Sequence, residues 1–200
     1  MEKHINKISA KISRINGIMN QLKHSLPTRI LKLMYDSFVL SHISYCITAW
    51  GYNLDKIAKL QNKSLRIICK AKYNAHTDPL RKKLNVLKVS DIFELNCLKV
   101  YHNTINNKVP HYITSLFENR NTGHNTRHNG LLNFHRTQRV ASSKRLKCFL
   151  PQLLDKTPNL IKNKLFTHSL QGFSKYFKMF RINMYQSVCT KAHCYVCGRQ

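Results

Sequence analysis

Apolar residues recur at Ile5, Ile8, Ile12, Ile15, Met19 and Leu22. Steps of three and four residues place them on one stripe of a helix, with Lys7, Lys11, Arg14 and Lys23 turned elsewhere. Gly17 weakens that helix locally without ending it. Ser25 as N-cap, with Pro27 in the first turn, predicts a second helix carrying Ile30, Leu31, Leu33, Met34, Phe38 and Val39. Ser37 to Leu54 holds no Asp, Glu, Lys or Arg and reads as a buried corner between helices. A third helix is expected from about Asp55 to Lys72. Ile57, Leu60, Ser64, Ile67 and Ile68 face inward, and Lys56, Lys59, Lys63, Arg66 and Lys70 form a basic stripe on another face. Asp78-Pro79 opens a short fourth helix, and Ser90 caps a fifth that holds Ile92, Leu95, Leu98, Tyr101 and Ile105. Val109-Pro110 leads into a short piece ending near Phe117.

From Asn119 to about Lys144 the pattern lapses. Asn, Arg, His, Thr and Gly dominate, and acids vanish. This is a basic loop, either a binding segment or a solvated linker. Two helical pieces follow, around Pro151 to Asp155 and Lys162 to Tyr185, the second with Leu165, Leu170, Phe173, Phe177 and Phe180. Sustained alternation of the strand kind is missing from the first part of the chain, so the expected fold class is all-α. The expected division is a helical domain over 1–118, the basic loop over 119–144, a C-terminal helical region over 145–188 and a Cys/His tail over 189–200.

Charge adds the first functional constraint. The 200 residues carry 34 Lys and Arg against 8 Asp and Glu, a net charge of +26, and a pI near 10.1. At 42% apolar the chain has material for a core, unlike a disordered polybasic tail. Such an excess of one sign calls for a polyanion, nucleic acid first and an anionic membrane surface second. Beyond Glu118 the one acid is Asp155, and no two aspartates are adjacent. Acid–base catalysis by paired carboxylates and two-metal polymerase chemistry therefore lack ligands here. Gly-x-Ser-x-Gly and Gly-x-x-x-x-Gly-Lys are likewise missing.

Seven cysteines, odd in number and scattered, argue against a disulfide scaffold. The N-terminus lacks the apolar run of a secretory signal, so a nuclear or cytoplasmic setting is expected. Cys189, Cys194 and Cys197, with His193 beside Cys194, have ligand types at near-metal spacing. They read as zinc ligands or as free thiols. In the loop, Arg120, Arg127, Arg136 and Arg139, with His124, His128 and His135, are candidates for RNA or DNA contact, since arginine clamps phosphate and stacks on bases. The lysine stripe of the third helix reads as a row of phosphate contacts or as a solvated face. Trp50-Gly51 reads as a packing element, with Gly51 permitting a turn, in preference to a base-stacking platform.

Several of these residues fall in a familiar order. Leu33-x-Tyr35-x-Ser37, Tyr45-Cys46-x-x-x-Trp50-Gly51 and Leu60-Gln61-Asn62-Lys63-Ser64-Leu65-Arg66 resemble the region after the palm in LINE-type reverse transcriptases, the polymerases of non-LTR retrotransposons, jockey-like elements included. Val109-Pro110-His111-Tyr112-Ile113, Thr126-Arg127, Leu150-Pro151 and Phe177-Lys178 extend the likeness loosely over residues 5 to 185. The family's Trp-Asn step before Leu-Pro is replaced here by Lys147-Cys148-Phe149. The resemblance implies a thumb-like helical bundle that positions an RNA–DNA duplex, without the palm, its aspartates or their magnesium. It also implies RNA, DNA or a hybrid duplex as partner, no primer extension by the chain by itself, and a tail like the start of the Cys/His motif that ends some family members. The alternatives from the residues themselves are a stand-alone RNA- or DNA-binding protein with a C-terminal zinc knuckle and, ranked last, a membrane-surface protein.

Overall fold

The computed structural model describes residues 2–51, 54–117, 132–133 and 146–186. These residues are predominantly helical, with no strand among them, so the all-α expectation holds. The chain forms two compact units. The first is Met1–Ile92 with the C-terminal stretch from Lys178, and the second is Phe93–Phe177. The units part within two helices.

In the first unit, α1 (Glu2–Leu22) packs chiefly on α5 (Asp55–Ile68). It buries Ile5, Ile8, Ile12 and Met19, much as the periodicity predicts, while Ile15 is half-buried and Leu22 exposed. Asn16 and Ser9 share the buried face. Asn16 Nδ2 donates to the Leu60 carbonyl at 3.1 Å, and Ser64 Oγ donates to Asn16 Oδ1 at 2.7 Å. A buried polar side chain needs such partners.

Residues 28–44 run as α2 (Thr28–Met34), a π-helical turn (Tyr35–Leu40) and α3 (Ser41–Ser44). Helix α2 starts after Pro27, whose φ of −68° and ψ of 153° are extended, and no side chain caps it. Ser25 is therefore not the N-cap. Prolines precede α8 (His111–Thr114) and α10 (Asn159–Thr167) in the same way, and each proline carbonyl accepts the first helical hydrogen bonds. A locked φ leaves the proline extended at no further entropic cost.

The π turn changes which residues of this stretch face the core. Leu31, Tyr35, Val39 and Ile43 are buried, whereas Ile30, Leu33 and Phe38 are exposed, Leu33 by 60%. Four-residue steps drift around an α-helix, and the wider i→i+5 turn takes up that drift.

Cys46, at φ 48°, separates α3 from α4 (Ile47–Trp50). Gly51 has φ −72°, which any residue adopts. The left-handed backbone of this corner therefore falls on Cys46, not on the glycine. Tyr45 and Phe38 are exposed, so the uncharged corner is buried only in part.

Helix α5 ends at Ile68, short of Lys72. The Ala71 amide donates to the Arg66 carbonyl and the Lys70 amide to that of Ile67, with Lys70 at φ 52°. This is a Schellman ending, with lysine in the position that glycine usually takes. Asn85 after α6 (Thr77–Leu84) and Asn107 after α7 (Val89–Ile105) close their helices with the same pair of bonds.

The second unit contains α7 from Phe93 onward, α8, α9 (Leu146–Lys156), α10 and the start of α11 (Leu170–Met184). Its core includes Cys97, Leu98, Leu150, Leu154, Ile161, Leu165, Phe173 and Phe177. Helix α9 begins before Pro151 and contains it, and His168–Ser169 interrupts what the periodicity reads as one last helix. His102 Nε2 lies 2.9 Å from the His168 carbonyl, at that break.

Candidate nucleic-acid interface

Helix α5 has two faces of opposite character. Ile57, Gln61, Ser64, Leu65 and Ile68 are buried, while Lys56, Lys59 and Lys63 are exposed. Its one acid, Asp55, lies in the first turn, where the helix dipole favours a carboxylate. The three lysines lie three and four residues apart, rises of about 4.5 and 6 Å along the axis. They form a linear cationic edge.

The expected stripe is trimmed at its C-terminal end. Arg66 is half-buried, and its Nε donates to the Ala75 carbonyl at 2.9 Å. Lys70 lies beyond the helix, in the Schellman ending. At the other end, Lys56 Nζ donates to Asn6 Oδ1 of α1 at 2.8 Å.

Behind the lysines lies a buried polar hub that sequence reasoning missed. Gln61 Nε2 donates to the Tyr35 hydroxyl and to the Leu87 carbonyl, both at 2.9 Å. Arg81 is buried, and it donates from one guanidinium nitrogen to Gln61 Oε1 at 2.8 Å and from the other to Asn62 Oδ1. Burial raises the Tyr35 phenol to about 12, against the smaller opposing influences of Gln61 and Arg81. Burial also lowers the Arg81 guanidinium, opposed by the nearby phenols and carboxylates. The hub fixes the rotation of α5 about its axis, and so the direction in which the lysine edge points. Its one sequence signal is a glutamine at a core position of the apolar period.

Several of the chain's acids are engaged in the first unit. Asp36 accepts from Lys32 Nζ at 2.6 Å, and Asp78 accepts from Lys88 Nζ at 2.8 Å. Asp91 accepts from the Tyr185 hydroxyl, which in turn accepts from the Lys88 amide at 2.9 Å. Arg181 Nε stands 3.9 Å from Asp91. These carboxylates serve internal cations and hydroxyls.

Four of the motif residues quoted above, Tyr35, Trp50, Gln61 and Asn62, are scaffold residues in this unit. Tyr35, Gln61 and Asn62 belong to the hub. Trp50 is 2% exposed, and its Nε1 donates to the Tyr45 carbonyl at 2.8 Å. The buried indole packs and has no open face for a base.

Arg120, Arg127, Arg136 and Arg139, with His124, His128 and His135, lie outside the described residues, as do Cys189, His193, Cys194 and Cys197. Among the described residues no three His, Cys, Asp or Glu side chains gather as a metal site, and no helix is long and apolar enough to cross a membrane. Fold and site together define an all-α protein with a cationic helix edge braced by a buried polar hub. Comparison with known proteins finds no matching family, no matching curated protein and no matching solved structure.

Proposed function

We propose that this chain is a nucleic-acid-binding helical module that holds a duplex by its phosphates, as the region after the palm does in the LINE-type reverse transcriptases it resembles. The observation that carries this reading is the exposed Lys56-Lys59-Lys63 edge, set on a rigid helix opposite its buried face. Lysines at helical spacing reach successive phosphates without reading bases, which suits a module that accepts any sequence. The engaged acids support it, since they leave the exposed lysines to an external polyanion. In a polymerase, such a module steadies the RNA–DNA hybrid while catalysis takes place on another domain. No pair of adjacent aspartates occurs in these 200 residues, and the chain by itself is expected not to extend a primer.

The test is duplex binding by the chain and by a Lys56→Gln/Lys59→Gln/Lys63→Gln variant. The variant should lose affinity about equally for unrelated sequences, and its salt dependence should flatten. Equal binding by both proteins, or primer extension by the chain, would contradict the reading.

A further inference from the structure

The loop that follows α5 carries the most exposed aromatic side chain among the described residues. Tyr73 is 89% exposed, and Lys70, Lys72 and Asn74 around it are exposed as well. An aromatic ring normally stabilises a fold through the large area it buries. The fold gains almost nothing of that kind from Tyr73.

The loop is nevertheless tied down. The Ala75 amide donates to the Lys72 carbonyl at 3.0 Å, closing a turn with Tyr73 and Asn74 at its two central positions. Arg66 Nε donates to the Ala75 carbonyl at 2.9 Å. The amides of Lys70 and Ala71, bonded at 3.1 and 2.9 Å to the Ile67 and Arg66 carbonyls, hold the start of the loop on the last turn of α5. The ring is thus presented to solvent on a backbone that is already ordered, which lowers the cost of binding through it.

Arg66 also settles where the turn lies. It follows Lys63 by three residues and so continues the row of Lys56, Lys59 and Lys63. The residue that continues the lysine row is therefore the one that tethers the turn, which puts Tyr73 at the C-terminal end of that row. The charge around it has one sign, since residues 56–77 contain Lys56, Lys59, Lys63, Arg66, Lys70 and Lys72 and no Asp or Glu.

We infer that the Lys72–Ala75 turn is a base-stacking site, in which the Tyr73 ring takes an unpaired base and Lys70 and Lys72 hold phosphates beside it. Every base has a face that stacks on an aromatic ring, so the site is as indifferent to sequence as the lysine edge. The faces of paired bases are occupied by their neighbours in the stack. The occupant is therefore a single-stranded nucleotide continuing from the duplex on α5. This rests on the function proposed above and adds to it the junction between paired and unpaired strands.

The test compares the affinity of the full chain for a short blunt duplex and for the same duplex with a few unpaired nucleotides at one end. Wild type should bind the extended duplex more tightly by about five- to a hundredfold, the range for one stacked base. Tyr73→Ala should abolish that advantage, and Tyr73→Phe, which keeps the ring, should retain it. An extension of abasic sugar-phosphates keeps the charge without the bases, needs no variant, and should give wild type little advantage. Tyr112→Ala, at an exposed tyrosine of the second unit, should keep the advantage. The stacking site is overturned, with the proposed function left standing, if wild type binds both duplexes equally or if the advantage survives Tyr73→Ala. The same holds if Tyr112→Ala removes the advantage equally, or if an abasic extension reproduces it in full. Blunt-duplex binding that is unaffected by Lys56→Gln/Lys59→Gln/Lys63→Gln would instead overturn the proposed function, and this site with it.

Discussion

At the scale of single residues, the first unit depends on Arg81. Its fork serves Gln61 and Asn62 at once, and a lysine ammonium has no planar pair of donors to do this. Arg81→Lys should therefore cost about 1–3 kcal/mol in urea unfolding, the range expected when buried acceptors lose a partner. An unchanged midpoint would count against the hub. Tyr35 gives the same site a pH signature. Its phenol titrates near 12 when folded, against an ordinary value of 10. Between those values the unfolded chain has released a proton that the folded chain keeps, so the stabilisation is complete below pH 10 and is lost as pH rises through 12. Unfolding measured at about pH 9 and about pH 11 should show that decline, and Tyr35→Phe should make it shallower by up to roughly 1.4 kcal/mol per pH unit. A variant with the same slope as wild type would contradict the burial assigned to Tyr35. None of this was legible beforehand. Gln61, Arg81 and Tyr35 are 20 and 26 residues from one another along the chain, and periodicity says which positions are inside, not which polar groups meet there.

At the scale of elements, legibility followed how regular each helix is. Helix α1 is one uninterrupted α-helix, and its apolar steps locate the buried face almost residue by residue. The lysines of α5 were found for the same reason. The expectation failed where local backbone departs from the α period. The π turn at Tyr35–Leu40 leaves Phe38 outside. The Schellman ending takes Lys70 off the stripe, since lysine at a left-handed position has no sequence signature of the kind glycine has. These departures predict two stabilising changes. Gly17→Ala should add about 1 kcal/mol, because Gly17 is helical, exposed and has open space for a Cβ. Lys70→Gly should relieve the left-handed strain, with a gain of about 0.5–1 kcal/mol. Thermal unfolding of each variant measures both, and a lower midpoint for Gly17→Ala would show that α1 bends or packs at that residue.

For the whole molecule, the net charge of +26 has an arrangement that composition could not reveal. Carboxylates at Asp36, Asp78 and Asp91 of the first unit bond partners within the chain, while lysines of α5 and the basic face of α1 are exposed. The most direct test of this account is the salt dependence of duplex binding by the full chain. A linear fall of log K against log salt with a slope of about −3 or steeper, the same for unrelated sequences, is the predicted result. Binding that is absent at low salt, or insensitive to salt, would contradict it.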